Sequence, residues 1–415
     1  MNCKISEAKP NYSELGNYIR EINERNRDLT ITNLLGVSME KTFIPSVANL
    51  NGVDLSIYKI LRNEQLACKL MSVGRDEKLP VDLYKEHEPS IVSSAYYVFE
   101  PKNKEELLPE YLMMWLCRPE NDRYIGFISG GDVRGGISWD TFCSLPIKVP
   151  SITKQREIVK EYNVIQNRIE LNQKLIQKLE ECAQAIYKRW FVDFEFPDEN
   201  GKPYKSNGGE MVLGEFGEAP KGWSSKQLQD LCKVVDSLHT TPEYSSTGLP
   251  MVRITDINTG FLNLTNTMRV DEDTFQKFSK NHKSKKGDIL VSRVGATFGE
   301  FSYAHTNEKF CLGQNTAVII PKIFDSKLMY TALTTSNTRN QVEAKAVGSA
   351  YNTLSLQDIK GLTFVLPEKD FEKITSALTD KFDVLFSNIS LYSQENSCLI
   401  KMRHLLLSKL ATIEK

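Results

Sequence analysis

Ile137-Ser138-Trp139-Asp140-Thr141-Phe142, running on to Leu145 and Val149-Pro150, returns later in the chain as Leu354-Ser355-Leu356-Gln357-Asp358-Ile359, Leu362 and Leu366-Pro367. The offset is 354 − 137 = 217 residues, about half of the 415. Solenoid units repeat every ~20 to 50 residues, so a period this long reads as a duplicated domain. Each copy runs into an apolar heptad pattern. The first is Ile158, Tyr162, Ile165, Ile169, Asn172, Ile176, Leu179, Ala183, Ile186 and Trp190, a 4-3 spacing without a slip, which is the mark of a coiled-coil seam. Shifted by 216 residues it becomes Ile374, Leu378, Lys381, Leu385, Asn388, Tyr392, Glu395, Leu399, Met402 and Leu406. Lys381 and Glu395 are misfits there, and Phe382 and Asn396 beside them indicate that the contacts slide by one residue at those points.

An isolated helix with an apolar seam is marginal in water and prone to association, so the two stripes are expected to pack on each other. Antiparallel packing is favoured because a connector of about 30 residues and the second globular half intervene before the second stripe begins. Asn172 and Asn388 occupy equivalent seam positions, and a buried asparagine there costs stability while fixing register. Some 40 helical residues at 1.5 Å each make a rod of about 60 Å. The organisation expected is α+β: a first mixed α/β domain (1–151), a first long helix (152–193), a linker (194–222), a second mixed domain (223–367) and a second long helix (368–415), with the domains related by a pseudo-twofold and the helices forming an antiparallel coiled coil. The linker reading rests on turn signals at Pro197-Asp198-Glu199-Asn200-Gly201, Asn207-Gly208-Gly209 and Pro220-Lys221-Gly222.

Composition narrows the class. A 40% hydrophobic share lets each half bury its own core. With 52 basic and 53 acidic residues the net charge is −1, so no global basic field announces nucleic acid and such a partner must be held by local patches. No apolar run is long enough for a signal peptide or a membrane span; no membrane association is expected, and a cytoplasmic location is. The eight cysteines show no CxxC pair and are expected to be buried, reduced thiols.

Enzyme signatures are absent. There is no G-x-x-x-x-G-K-[ST] loop, HExxH, G-x-S-x-G elbow or Asn/Asp-Pro-Pro-aromatic motif, and the five histidines lie far apart. No catalytic residue, cofactor or metal site is expected. Binding chemistry is what remains. Lys283, Lys285 and Lys286 precede a strand and the loop Ser292-Arg293-Val294-Gly295-Ala296-Thr297, a pattern offering phosphate partners and a fork-shaped donor suited to a guanine edge. Arg253 and Asn315 join this group in the second half. The first half has a looser counterpart in Ser72, Arg75, Tyr96 and Arg134. Asn352 aligns with Gly135 at the 217 offset, and asparagine can grip adenine at two points.

Ala185-Ile186-Tyr187-Lys188-Arg189-Trp190-Phe191-Val192-Asp193-Phe194-Glu195-Phe196-Pro197, then Gly201-Lys202-Pro203-Tyr204, Pro220-Lys221-Gly222-Trp223 and Lys286-Gly287-Asp288-Ile289-Leu290-Val291-Ser292-Arg293, with Pro150, Gln155 and Ile158 opening the first helix, make the chain resemble the specificity (S) subunit of a Type I restriction-modification system. That resemblance implies two target-recognition domains, each reading one half of a split double-stranded DNA sequence, held apart by an antiparallel helix pair. It implies no catalysis, and partners in two modification (methyltransferase) subunits and, with them, restriction subunits. Two departures stand out: Phe371 lies where the second junction would carry the counterpart of Gln155, and Leu70-Met71-Ser72 stands where an arginine would follow. The competing reading is a coiled-coil adaptor joining proteins without touching DNA. If the helices set the unread gap, inserting one heptad in each, about 10 Å of helix, changes the tolerated gap in a methylation assay and leaves both half-sites unaltered; an unaltered gap counts against the idea.

Overall fold

Two helices of 40 and 39 residues, Ile152–Phe191 and Phe371–Lys409, carry the heptad stripes in the computed structural model, which describes residues 12–46, 52–71, 73–129, 135–214, 217–322, 324–346, 352–369 and 371–410. Neither helix has Pro or Gly between its ends, so nothing interrupts the i→i−4 ladder. The chain divides into two compact units, Met1–Ile169 with Cys398–Lys415, and Glu170–Ser397. Each unit therefore contains a piece of both helices.

Within the second unit the helices run in opposite directions. Asn172 Nδ2 donates to Asn396 Oδ1 at 3.0 Å and to Glu395 Oε2 at 2.9 Å, while Lys381 Nζ lies 6.0 Å from the centre of the Trp190 ring. Within the first unit Arg403 Nη1 donates to Gln166 Oε1 at 2.8 Å. All ten seam positions of the first helix are buried or half-buried. On the second helix Lys381 is exposed and Phe382 buried, and the polar member of the seam is Asn396, 8% exposed. The slide by one residue is thus real, but Asn388 is not Asn172's counterpart. Its Nδ2 folds back to Val384 O at 2.8 Å on its own helix. The duplication makes Asn172 and Asn388 equivalent, whereas antiparallel packing brings together positions whose numbers have a nearly constant sum.

The first unit holds two four-stranded sheets. One has the order Ile19–Ile22, Tyr97–Pro101, Leu66–Cys68, Val81–Leu83; the other Phe43–Pro45, Leu34–Val37, Ser90–Val92, Lys59–Leu61. The second unit repeats the plan as Cys232–Asp236, Thr316–Pro321, Ile289–Ser292, Phe301–Tyr303 with Gly260–Phe261 added at the edge, and as Met268–Val270, Leu249–Val252, Cys311–Leu312. In both, one strand pair of the second sheet given is parallel: Leu34 faces Ile91, and Met251 faces Cys311. Helices Pro109–Leu116, Pro119–Ile128 and Trp139–Cys143 reappear as Ser326–Leu333, Ser336–Ala346 and Leu356–Lys360, each starting 217 residues later (326 − 109, 336 − 119, 356 − 139).

Local chemistry explains the repeated signature. Ser138 Oγ accepts from Thr141 N at 3.1 Å and Ser355 Oγ from Asp358 N at 3.0 Å, so the serine of each copy caps a short helix. Ile147 and Leu366 then lead through buried strand ends to the long helices. Gln155 is fully buried and stitches the first junction, accepting from Leu108 N and donating to Glu106 O and Pro150 O. At the second junction Phe371 instead packs on Phe324 at 4.9 Å. An aromatic contact replaces a hydrogen-bonded one, which accounts for the departure seen in the sequence.

The described residues of the connector 194–222 make packed contacts of their own. Phe196 stacks on Tyr204 at 4.7 Å and on Trp223 at 5.0 Å, and Met211–Gly214 pairs antiparallel with Gly217–Pro220. Phe194 and Phe196 join the main core of the second unit together with Trp190 and Phe382. The first unit's core takes in Ile158, Val159, Leu407 and Leu410 beside Leu15 and Phe142. Among the described cysteines, all free, Cys68, Cys232 and Cys311 are buried, while Cys182 and Cys398 are exposed, so burial holds for only part of the set. Burial pushes the Cys232 and Cys311 thiols up to about 12. Among the described residues no helix is long and apolar enough to cross a membrane.

Asn172→Ala removes a buried donor and leaves Asn396 Oδ1 unpaired, so urea unfolding should show a loss of about 1–3 kcal/mol. The double change Asn172→Leu with Asn396→Leu should regain most of it by replacing a polar pair with apolar contact. Equal stability of all three proteins would remove the pair from the seam.

Candidate nucleic-acid interface

The strand Ile289–Ser292 separates the sequence candidates of the second unit into two groups. Its beginning carries the lysines. Asp288, fully buried, accepts from Lys285 N at 2.8 Å and meets His282 Nε2 at 2.6 Å, and Gly287 turns the chain at φ +93°. The Gly-Asp-Ile-Leu motif is therefore the lock of a tight loop that leaves Lys283, Lys285 and Lys286 exposed. Near this end His305 Nδ1 meets Ser390 Oγ of the second long helix at 2.9 Å. Burial holds His305 below the usual histidine range.

The strand's other end forms a tip where five segments converge, at Asp236, Ile254, Arg293, Asn315 and Leu354. Arg293 N donates to Asn315 O at 3.0 Å and Arg293 O accepts from Leu354 N at 2.8 Å. Its guanidinium, with the side chain 13% exposed, donates to Asp236 Oδ1 at 2.7 Å and to Leu354 O at 3.0 Å. Asp236 Oδ2 in turn meets His239 Nε2 at 2.8 Å. Ser292 is fully buried, its hydroxyl within 2.9 Å of Thr297 Oγ1, which donates to Ile254 O at 2.8 Å. Ser292, Arg293 and Thr297 thus tie the loops together, and in this geometry both hydroxyls and the Arg293 Nε and Nη1 already have internal partners. The expected fork toward a base edge is turned inward for Arg293, because the aspartate ending Cys232–Asp236, two strands away in the same sheet, neutralises it.

Arg253 is similarly occupied: Nε and Nη2 lie 3.1 and 3.2 Å from the Asp256 carboxylate, a contact that holds the guanidinium above its ordinary range. Asn315 adopts φ +60°, a left-handed conformation that asparagine tolerates better than most residues. Asn352 is exposed one residue before Thr353, which pairs with Val294 of the Arg293 loop. The tip therefore gathers Arg253, Ser292, Arg293, Thr297, Asn315 and Asn352, and leaves the three lysines at the opposite end of the strand. Sequence reasoning passed over Asp236, His239 and Gln314; the clue was a lone acid closing the strand Cys232–Asp236, which needs a cation if it is half-buried.

In the first unit Tyr96 hydroxyl accepts from Val37 N at 3.0 Å, fixing two loops. Ser72, Arg134 and the side chain of Arg75 lie outside the described residues. The backbone still settles which residue corresponds to Arg293. Leu70 O accepts from Ile137 N as Arg293 O does from Leu354 N, and Lys69 N donates to Pro80 O as Ser292 N does to Glu300 O. The counterpart is Leu70, 2% exposed, and not Arg75. An apolar side chain fills the position where the second unit keeps a neutralised cation. Among the described residues no group of His, Cys, Asp and Glu could hold a metal.

Replacing Arg293 with Met leaves Asp236 half-buried without its cation, so thermal or urea denaturation should show a loss of about 2–4 kcal/mol. Adding Asp236→Asn should recover a large part of that loss. A variant as stable as the parent would show that the pair is not holding the tip.

The family described as the Type I restriction modification DNA specificity domain matches residues 82–181 and 220–390. The chain is 25% identical over 386 residues to the Type I restriction enzyme HindI specificity subunit of Haemophilus influenzae, covering 77% of this chain and 80% of the relative. It is 24% identical over 314 residues to the Type I restriction enzyme MjaIX specificity subunit of Methanocaldococcus jannaschii, covering 74% and 69%. In fold it is similar to the crystal structure of a Type-I restriction-modification system S subunit from M. genitalium, with a TM-score of 0.52, 13% identity and 98% of each chain covered. With its repeated units, its paired helices and both family segments in place, this chain belongs to the Type I restriction modification DNA specificity family.

Proposed function

We propose that the chain is the non-catalytic specificity subunit of a DNA-modifying assembly, reading a two-part double-stranded target with one unit per part and holding adenine methyltransferase subunits, with restriction subunits joining them. The observation that carries this reading is the duplication. Two units of the same strand order present loop tips of different chemistry, which suits a target whose two parts differ in sequence. The names borne by the relatives, specificity subunits of Type I restriction enzymes, point the same way.

Within this reading contacts sort by chemistry. Lys283, Lys285 and Lys286 are exposed cations suited to phosphate oxygens, and their contribution falls with salt. Asn315 and Asn352, at the tip, are suited to base edges, with Arg253 beside them once Asp256 releases it. For the first unit, Ser72, Arg75, Tyr96 and Arg134 remain the proposed contributors. A net charge of −1 leaves much of the phosphate attraction to the partner subunits. Acting on chromosomal DNA, the assembly would work in the cytoplasm. An adaptor that never touches DNA would need neither the repeated tips nor their divergence.

Single-molecule sequencing of methylated adenines tests this in cells carrying the chain with its genomic partners. A split motif, two short specified parts around an unspecified gap, should be present and should vanish when this gene alone is deleted. Persistence of the same methylated motif after deletion would overturn the reading.

A further inference from the structure

The two units can be compared residue by residue where the sheet with the parallel pair, Leu34–Val37 with Ser90–Val92 or Leu249–Val252 with Cys311–Leu312, hands over to an inner strand of the other sheet. In the first unit the strand Ser90–Val92 is followed by Ser93-Ser94-Ala95, and Tyr97–Pro101 begins two residues later. In the second unit Cys311–Leu312 is followed by Gly313-Gln314-Asn315, and Thr316–Pro321 begins at once. Ile91 and Cys311 are equivalent because each faces the parallel strand, at Leu34 and Met251. Cys68 facing Tyr97 matches Val291 facing Ala317. Both correspondences give the same offset, 311 − 91 = 317 − 97 = 220. The turns therefore superpose in register with Ser93, Ser94 and Ala95 opposite Gly313, Gln314 and Asn315.

The backbone of this turn is pinned while its side chains are idle. Gly313 N donates to Val252 O at 2.8 Å, and Asn315 O accepts from Arg293 N at 3.0 Å. In the first unit Tyr96 N donates to Ser93 O at 3.0 Å. A Cβ on Gly313 would come within 3.0 Å of Val252 O, so glycine is what lets the two strands close there. Among the described residues the side chains of Gln314, Asn315, Ser93 and Ser94 have no hydrogen-bond partner, and Ser94 and Ala95 are exposed. A fixed backbone that presents unpaired polar groups beside Arg253, on the tip that also carries Asn352, leaves little backbone ordering to complete on binding.

We propose that this turn is a specificity-determining element of each unit, and that the carboxamides of Gln314 and Asn315 read an adenine in the part of the target facing the second unit. A carboxamide presents one donor and one acceptor side by side, complementary to adenine N7 and N6 in the major groove. The first unit, with two hydroxyls and a methyl group at the same positions, selects its base by other contacts, apolar contact of Ala95 with a thymine methyl among them. This inference rests on the proposed function and refines it to named residues.

Exchange of the turns tests it in the whole chain, expressed from its own locus with its genomic partners and read by adenine-methylation sequencing. Placing Ser-Ser-Ala at 313–315 should change at least one specified base in one part of the motif and leave the other part intact; placing Gly-Gln-Asn at 93–95 should do the reverse. The milder variants Asn315→Gly, which suits φ +60°, and Gln314→Ala keep the test open if an exchange abolishes methylation. Each should lower discrimination for adenine at one position by roughly 10-fold. Unchanged preferences at every position in both milder variants would overturn the proposal. Absence of any split motif in the parent would instead overturn the proposed function.

Discussion

The contact on which the rest of the molecule depends is the seam between the two long helices. It completes both cores. Leu407 and Leu410, near the end of the chain, are 4% and 2% exposed in the core that also contains Leu15 and Phe142. Phe382 and Phe386 do the same for the second unit with Trp190 and Tyr187. Burying one such aromatic or leucine contributes about 1.5–3 kcal/mol, so each unit is stabilised by a helix segment whose own repeat lies in the other half of the sequence. The Asn172–Asn396 contact is the polar exception in an apolar stripe, and it disfavours slipped registers that would leave either amide facing hydrocarbon.

Much of this was legible in the sequence. A 217-residue offset appears in the structure as three helices displaced by that number, and the 4-3 spacing of the first stripe holds at every position. The second stripe was legible only in part. Lys381 and Asn388 keep the heptad count inherited from the duplication, yet Phe382 and Ile389 are the buried residues. Sequence spacing reports a helix's apolar face, whereas the partner's shape decides which of two adjacent residues fills it. The partner of Asn172 was hidden for the same reason: duplication relates residues by a constant difference, antiparallel contact by a constant sum.

The tip was harder to read. Arg293 has the residue type and loop setting of a base-reading arginine, and no local signal shows that Asp236, 57 positions earlier, closes on it. Such pairing is a tertiary fact. Leu70 as the counterpart of Arg293 was equally hidden, because Arg75 in Ser-Val-Gly-Arg looks like the closer match in sequence, while the hydrogen bonds to Ile137 and Leu354 define the true register. By contrast the lysine loop was recognisable as a loop, and only its distance from the tip was missed. A four-residue strand separates its ends by about 10 Å, enough to divide one imagined patch into two separate groups.

The direction of the helix pair is open to direct measurement in the second unit. Spin labels carried on noncanonical residues at Arg189 and Asp380, both exposed, avoid the native thiols and can be read by double electron–electron resonance. Antiparallel packing places these positions side by side, so a narrow distribution below about 25 Å is expected, allowing for the label arms. Parallel packing at the repeat offset would set them about 25 residues apart along the helices, near 37 Å at 1.5 Å per residue, and a distribution centred there would contradict the account.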